Sequence, residues 1–312
     1  MKEIGGYLEL ELGSRNTEYH SGMVDLNTGR NALEYILRLR GYRKLYLPHY
    51  HCDALIIPLQ RLGIEYQFYS IDYNFEFADI TPADGEALLY INFFGLKDAY
   101  IAQLAARYSN LIIDNAHSFY SVPLLGIDTF YSCRKFFGVP DGAYVAASAT
   151  LNAQLPHDHS SARYQHLIGR YDQSATAHYS FYREVEELFD TEEMKLMSPS
   201  TKAILSSIDY TEALQRRRSN YKLLHAALEG RNRLQLPEDS AGMSYPLLAS
   251  RDLMSKLIHA KVYIGTYWPN VIKDMPHDSV EYDLAYNLLS LPIDQRYSGQ
   301  DMEEIIKRIN ND

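Results

Sequence analysis

Cysteine is scarce in this chain, which has only Cys52 and Cys133 among its 312 residues. Two cysteines cannot form the disulfide framework of a small secreted domain, and they are typical of a reduced, cytoplasmic setting. No apolar run reaches the roughly 18 residues that a membrane-spanning helix needs. The N-terminus also lacks the apolar core of a signal peptide. We therefore expect a cytoplasmic globular protein without a membrane partner.

Positive charge is also in short supply. The chain has 30 Lys and Arg against 40 Asp and Glu, which gives a net charge of −10. No basic block resembles a nucleic-acid footprint, so we expect no nucleic-acid partner. Neither G-x-G-x-x-G nor G-x-x-x-x-G-K-[ST] occurs, so dinucleotide and P-loop interpretations lack their marker. The histidines, cysteine and acid at residues 49–53 match no standard zinc spacing, so no metal site is predicted.

Apolar and amphipathic segments alternate through the first half of the chain. Strand-like segments and helical segments follow one another, with strands at residues 44–47, 65–71, 87–93 and 111–114 and helices at residues 31–40, 52–62 and 99–108. Such alternation predicts β-α-β crossovers, and hence an α/β fold with a mostly parallel mixed sheet flanked by helices. The uninterrupted apolar runs at 87–93 and 111–113 are of the kind buried on both faces of a parallel sheet.

The polarity and the periodicity of the sequence change along the chain, and these changes divide it into three parts. We predict an N-terminal segment at residues 1–20, a large domain at residues 21–195 and a smaller α+β domain at residues 196–312. A short strand is expected at residues 7–12 in the first part. In the third part, one helix is expected from Ser198 to about Leu228, ended by Gly230, and a strand at residues 262–267.

Two strand segments of the large domain are followed by a reactive polar group. Asp114 ends the apolar run 111–113, and Lys135 follows the strand-like residues 130–132. Pyridoxal phosphate (PLP) chemistry needs such a pair, because a lysine forms a Schiff base with the cofactor aldehyde and an acid keeps the pyridine nitrogen protonated. Desolvation and the neighbouring Arg134 predict a lowered Lys135 pKa. Taken alone, Asp114 also fits a helix N-cap or a salt bridge.

Three further positions are candidates for binding the cofactor phosphate. Thr28 and Gly29 form a turn into a helix, whose free backbone N–H groups make an anion site. Arg30 either assists there or points away. Ser132, three residues before Lys135, is placed to donate its hydroxyl to the same phosphate.

Flat side chains near the ends of two predicted strands are candidates for contacting the cofactor ring. Tyr50 and His51 follow the strand at residues 44–47, and we predict that they position the pyridine ring. His117, three residues after Asp114, either hydrogen-bonds the phenolic oxygen of PLP or caps the following loop.

Taken in order along the chain, these segments resemble the DegT/DnrJ/EryC1/StrS family of PLP-dependent aminotransferases. The matching segments are residues 28–33 (TGRNAL, family S-G-T-x-A-L), 48–52 (PHYHC, P-x-Y-T-C), 93–95 (FFG, L-F-G), 114–117 (DNAH, E-D-x-A-Q), 141–142 (DG, a glycine turn) and 290–294 (SLPID, L-S-L-P). The resemblance implies fold type I, Lys135 as the Schiff-base lysine and Asp114 as the catalytic acid at the pyridine nitrogen. It also implies a homodimer that transfers an amino group from glutamate to a nucleotide-linked keto sugar, in polysaccharide or secondary-metabolite sugar synthesis.

Three departures from the family pattern keep other functions open. His51 stands where the family has threonine, His117 where it has glutamine, and residues 139–143 (VPDGA) replace G-E-G-G. The alternatives are a different PLP reaction and a non-catalytic sensor or assembly role. Family members that dehydrate sugars tend to carry histidine in place of the lysine, so Lys135 favours transamination. The identity of the sugar stays open.

Overall fold

The computed structural model describes residues 10–13 and 17–310. Seven strands form the main sheet in the order β1-β7-β6-β5-β4-β2-β3. Their bounds are β1 Val24–Leu26, β2 Lys44–Pro48, β3 Glu65–Tyr69, β4 Glu86–Ile91, β5 Leu111–Asp114, β6 Asp128–Ser132 and β7 Ala143–Ala146. Strand β7 runs antiparallel to both of its neighbours, β6 and β1, and the other pairs are parallel. The predicted mostly parallel mixed sheet is confirmed.

Helices flank this sheet, and a two-stranded antiparallel sheet follows later in the chain. The helices are α1 Gly29–Arg40, α2 Ile56–Leu62, α3 Asp98–Arg107, α4 Gln165–Asp172, α5 Tyr179–Leu188, α6 Pro199–Leu205, α7 Tyr210–Leu228, α8 Arg251–His259, α9 Pro269–Asp274, α10 Val280–Asn287 and α11 Gly299–Asn310. The small sheet pairs β8 Ser244–Leu248 with β9 Leu288–Pro292. No helix among the described residues has the length and apolar character needed to cross a membrane.

The central strands explain why the sheet is parallel at its middle. All six residues of β4 and all four of β5 are buried. Side chains on both faces of these strands are therefore covered, as the uninterrupted apolar sequence predicts. At the β3 edge the first three residues are exposed, which fits its more polar sequence.

The apolar side chains form two clusters. The larger cluster surrounds the seven-stranded sheet and also takes in Trp268, Leu284 and Leu288 from late in the chain. The smaller cluster joins α7, α8 and α11 to the two-stranded sheet, through side chains such as Tyr221 and Tyr245. Residues after 196 thus contribute to both clusters, and the predicted domain bounds stay a prediction.

The predicted single helix from Ser198 to Leu228 is wrong. Helix α6 ends at Leu205 and α7 begins at Tyr210. The hydroxyl of Ser206 donates to the Lys202 carbonyl at 2.8 Å, and that of Ser207 to the Ile204 carbonyl at 2.7 Å. Such bonds to the last helical carbonyls compete with helix continuation. Asp209 then caps the next helix by accepting the Glu212 N–H.

Two predicted strands are not found where they were expected. Residues 262–267 form no strand and instead lead from α8 toward α9. Of the strand predicted at 7–12, residues 7–9 lie outside the described residues, and residues 10–12 form no strand. Apolar and aromatic composition alone therefore overstated the strand content of residues 262–267, where no neighbouring strand among the described residues completes the hydrogen bonds.

Candidate active site

The predicted site residues lie at one edge of the main sheet. Asp114 ends β5 and is paired in register with Phe130 of the parallel strand β6, which leads to Lys135. Thr28 follows the end of β1, and Tyr50 follows the end of β2, both of which run in the same direction. Ligands of open α/β sheets collect at this carboxyl edge.

Asp114 is a buried carboxyl group with little compensation. It is 5% exposed, and its Oδ1 accepts the backbone N–H of Ala116 at 2.8 Å. Burial raises the pKa of Asp114 to about 7, against the lowering effects of the Ala116 hydrogen bond and of Lys135. A buried carboxylate without a close cation is costly, so this position favours a ligand that brings a protonated nitrogen.

Lys135 ends the short helical turn Cys133–Lys135 and is accessible to solvent. Its amine nevertheless lies within electrostatic range of Tyr267, Tyr182 and Glu186. The surrounding protein atoms desolvate the amine and lower the pKa of Lys135, but these groups and Cys52 raise it by more, so the pKa lies above the usual lysine value. The amine is therefore protonated before any ligand arrives.

The predicted lowering of the Lys135 pKa by Arg134 is wrong. The Arg134 guanidinium pairs with the Glu186 carboxylate, and it lies 4.4 Å from the centre of the Phe189 ring. The Glu186 carboxylate therefore neutralises the charge of Arg134, and the Phe189 ring packs against its guanidinium. The same carboxylate also stabilises the protonated amine of Lys135, which the sequence neighbours of the lysine did not reveal.

We expect Glu186→Gln to lower the pKa of Lys135 and to speed its acylation several-fold near pH 8. The substitution removes a negative charge that favours the ammonium form. The rate is measured in cofactor-free protein by pulse acylation and mass spectrometry of the peptide that contains Lys135. Glu187→Gln is the control, because Glu187 is exposed and pairs only with Arg183 among the described residues. Equal Lys135 rates in the two variants would contradict the assignment.

The start of α1, where the sequence predicts an anion site, is a capped helix N-terminus. Thr28 caps the helix, with its hydroxyl oxygen accepting the Asn31 N–H at 3.2 Å. The N–H groups of Gly29 and Arg30 lie in the first turn and have no intrahelical partner. A Cβ placed on Gly29 would lie 3.9 Å from the Cβ of Ser132, so α1 and the end of β6 adjoin. Three predicted phosphate-binding residues therefore meet.

The Arg30 side chain binds another residue and does not lie free at the start of α1. Its guanidinium forms an ion pair with Asp190 at 2.9 Å, and Asp190 is half exposed. Of the two alternatives left open by the sequence, this geometry favours the one in which Arg30 points away from the helix start. Its backbone N–H still lies in the first turn of α1.

We expect Thr28→Ala to destabilise the fold by about 1 kcal/mol, the usual cost of losing a helix N-cap. Binding of inorganic phosphate or PLP should weaken several-fold in parallel, since the first turn of α1 then frays. Urea unfolding and a phosphate titration measure the two effects. Thr28→Ser keeps the hydroxyl and should behave like the wild type. A serine variant as impaired as the alanine variant would overturn this role of the cap.

The ring-contacting candidates separate into two groups. His117 is buried, and its ring stacks on that of Trp268 at 5.6 Å between centroids. Burial, assisted by Lys135, lowers the pKa of His117 to about 3, so the imidazole is neutral at pH 7. Its Nδ1 has no hydrogen-bond partner among the described residues. A fixed, neutral imidazole with one unused nitrogen is well suited to bind a ligand oxygen.

Tyr50 and His51 are less directly placed. Tyr50 is fully buried between Phe93, at 5.6 Å, and Trp268, at 4.9 Å. His51 stacks on Phe68 of β3 at 4.9 Å, and its Nδ1 lies 3.0 Å from the His49 carbonyl oxygen. Their role in holding a cofactor ring stays a prediction.

The site also contains residues for which the sequence predicted no role in binding the cofactor. Burial raises the pKa of the Cys52 thiol. Lys135 and Arg30 lower this pKa and Asp114 raises it, by smaller amounts. Tyr182 and Glu186 come from α5, four residues apart. That spacing places them on one face of a helix, which was the available signal. Among the described residues, no group of three or more His, Cys, Asp and Glu could hold a metal ion.

Solved structures share this fold. A DegT DnrJ EryC1 StrS aminotransferase from Brucella abortus is 15% identical, with a TM-score of 0.61, and the match covers 93% of this chain and 85% of that one. DesV from S. venezuelae, solved in complex with a ketimine intermediate, is 17% identical, with a TM-score of 0.64 and coverages of 95% and 85%. The sugar aminotransferase CalS13 from Micromonospora echinospora is 14% identical, with a TM-score of 0.62 and coverages of 93% and 87%.

No protein-family model matches the sequence, and no curated protein matches it. The structural likeness therefore rests on the course of the chain rather than on sequence identity. It establishes that the chain has the fold of the DegT/DnrJ/EryC1/StrS aminotransferases, fold type I, as the sequence motifs predicted.

Proposed function

We propose that this protein is a PLP-dependent aminotransferase that moves an amino group from glutamate to a keto sugar, most simply one linked to a nucleotide. One observation carries the proposal. Asp114 and Lys135 follow adjacent parallel strands at the carboxyl edge of the sheet, beside an anion site at the start of α1. The fold of known sugar aminotransferases supports it.

The residues present fit PLP at both of its ends. The buried carboxyl of Asp114, with its pKa near 7, matches a pyridine nitrogen that must stay protonated. The first turn of α1 and Ser132 match a phosphate group. When bound, PLP supplies an aldehyde that exchanges amino groups and a ring that accepts electrons.

The chain's own residues then have distinct tasks. Lys135 Nζ would hold the cofactor covalently and, when free, would carry a proton to and from the reacting carbon. Asp114 holds the proton on the ring nitrogen, which is an electrostatic contribution made in place before reaction. His117 fixes the ring through its unused nitrogen, and Thr28, Gly29 and Ser132 retain the phosphate between the two half-reactions.

The test of this function separates its two half-reactions. Purified protein is loaded with PLP and mixed with glutamate, and conversion of the cofactor to its aminated form is followed by absorbance. Nucleotide-linked keto sugars are then added, and amino sugars are detected by mass spectrometry. We expect glutamate-dependent conversion followed by amination of at least one sugar. Failure of glutamate, alanine and glutamine alike to convert bound PLP would favour the non-catalytic alternative.

A homodimer and a cytoplasmic location complete the proposal. Helix α5, which places Tyr182 and Glu186 beside Lys135, also exposes Tyr179 and Leu188 to solvent. Exposed apolar side chains on the helix that flanks Lys135 support a second subunit packing there. Both cysteines are free, which fits a reducing compartment. Light scattering coupled to size exclusion should give twice the chain mass, and a monomer would contradict this part.

A further inference from the structure

Arg217 is the largest side chain that the described structure buries completely. It lies on α7 in a run of three arginines, of which Arg216 and Arg218 are exposed. Burial lowers the pKa of Arg217 to about 10, which still leaves the guanidinium charged at pH 7. Burying a charge is costly unless its surroundings compensate for it, so the contacts of this group call for an explanation.

The guanidinium is held by neutral acceptors. Its Nη2 donates to the Phe136 carbonyl at 3.2 Å and its Nε to the Gln295 side-chain oxygen at 3.0 Å. Its Nη1 donates to the carbonyls of Gly242 at 3.1 Å and of Met243 at 3.4 Å. It also lies 4.4 Å from the centre of the Phe136 ring. Among the described residues it forms no ion pair.

The first of these acceptors belongs to the residue directly after Lys135. The Phe136 carbonyl also receives a hydrogen bond from Gln295 Nε2 at 2.8 Å. The Phe136 N–H in turn donates to the Cys133 carbonyl at 3.0 Å, which closes the turn that carries Lys135. Arg217 and Gln295 together therefore fix the end of this turn.

The two remaining backbone acceptors, the carbonyls of Gly242 and Met243, lead to the loop of His117. The Met243 N–H donates to the His117 carbonyl at 3.0 Å. Gly242 packs so closely on the turn at Phe94 that a Cβ added to it would lie 1.7 Å from the Phe94 carbonyl oxygen. Residues 242–243 therefore contact both the His117 loop and the turn at Phe94. The carbonyls of the same two residues accept hydrogen bonds from Arg217.

We propose that Arg217 is a positioning residue that sets the Lys135 turn and the His117 loop at a fixed separation. One rigid, planar group bonds the Phe136 carbonyl of the Lys135 turn and the carbonyls of residues 242–243, and the Met243 N–H in turn binds the His117 carbonyl. The five donors of the guanidinium make that geometry specific. An apolar side chain could fill the same volume without the cost of burying a charge. The proposal deepens the proposed function, since these two segments carry the covalent attachment point and a ring contact.

The test compares Arg217→Met with Arg217→Lys, and uses Arg218→Met as the exposed control. In cofactor-free protein, pulse acylation and peptide mass spectrometry give the rate at Lys135 across pH, and urea unfolding gives stability. We expect Lys135 in Arg217→Met to acylate several-fold faster near pH 8, because the turn no longer holds the amine against Glu186. We also expect PLP to bind at least about tenfold more weakly. Arg217→Lys should bring both values part of the way back to those of the wild type, and Arg218→Met should match the wild type.

Failure of the positioning role and failure of the proposed function give different results in this test. If the wild type does not bind PLP, the proposed function fails, yet the acylation comparison still decides the positioning role. If Arg217→Met does not fold, Gln295→Ala removes the second donor to Phe136 and should shift Lys135 acylation in the same direction. A loss of stability with an unchanged Lys135 profile in the folded variants would overturn the proposal and leave Arg217 a purely structural residue.

Discussion

Lys135→Ala is expected to lower transamination at least about 1,000-fold and to abolish covalent attachment of PLP. A proton transfer by a positioned side chain is worth about 10²–10⁴-fold, and loss of the nucleophile adds to it. The visible absorbance of the loaded protein should disappear with the covalent link. Steady-state kinetics and an absorbance spectrum of the purified variant measure the two effects.

The fold should survive this substitution. Lys135 is accessible to solvent, so truncation leaves no buried cavity. Removing a cation does leave Glu186 with Arg134 as its remaining partner, which is a modest change. Lys222→Ala is the matched control, because that lysine pairs with Asp239 on the surface. Retention of covalent PLP or of turnover in Lys135→Ala would reject the lysine assignment.

Asp114→Asn is expected to keep PLP bound but to lower turnover about 10²–10³-fold. Removing one preorganised electrostatic partner commonly costs that much in enzyme active sites. The amide has nearly the same shape as the carboxyl, so the phosphate and lysine attachments remain. Single-turnover kinetics with glutamate, alongside a titration of PLP, separate binding from chemistry. Turnover near that of the wild type would remove Asp114 from the mechanism.

Asp114→Asn should raise the stability of the cofactor-free protein at neutral pH, although it lowers turnover. The pKa of Asp114 is raised to about 7 in the folded state, from an ordinary value of 3.8. The folded chain thus retains a proton that the unfolded chain has released, and stability falls as pH rises from about 4 to 7. Three pKa units correspond to roughly 4 kcal/mol.

Urea unfolding of the cofactor-free protein at several pH values tests this dependence. The wild type should lose stability between pH 4 and 7 relative to Asp114→Asn, whose amide does not titrate. Above pH 7 the variant should be the more stable protein although it turns over more slowly. Asp53→Asn, an exposed acid near the same edge, should follow the wild type. Parallel stability curves for Asp114→Asn and the wild type would contradict the burial argument.

Local patterns in the sequence were enough to predict the sheet and the position of its reactive edge. The apolar runs that became β4 and β5 could be buried only on both faces, which fixes parallel pairing. Polar groups such as Asp114 that end such runs necessarily reach the carboxyl edge. The Thr28 cap is equally local, because its acceptor and donor lie three residues apart.

Contacts between distant segments were beyond the reach of the sequence. Glu186 lies within electrostatic range of Lys135 only because the fold brings α5 near the turn that carries the lysine, so the direction of the lysine pKa shift could not be inferred from Arg134. Arg217 interrupts the apolar face of α7, between Ala213 and Tyr221, and that interruption was its one signal. The break between α6 and α7 at residues 206–209 depends on serine hydroxyls that donate to helix carbonyls rather than to water.

Borohydride reduction of the PLP-loaded protein, followed by peptide mass spectrometry, tests the central claim most directly. Reduction makes the link between cofactor and lysine permanent. We predict one pyridoxyl-modified site, at Lys135, and none in Lys135→Ala. Modification at another lysine, or no modification at saturating PLP, would contradict the account.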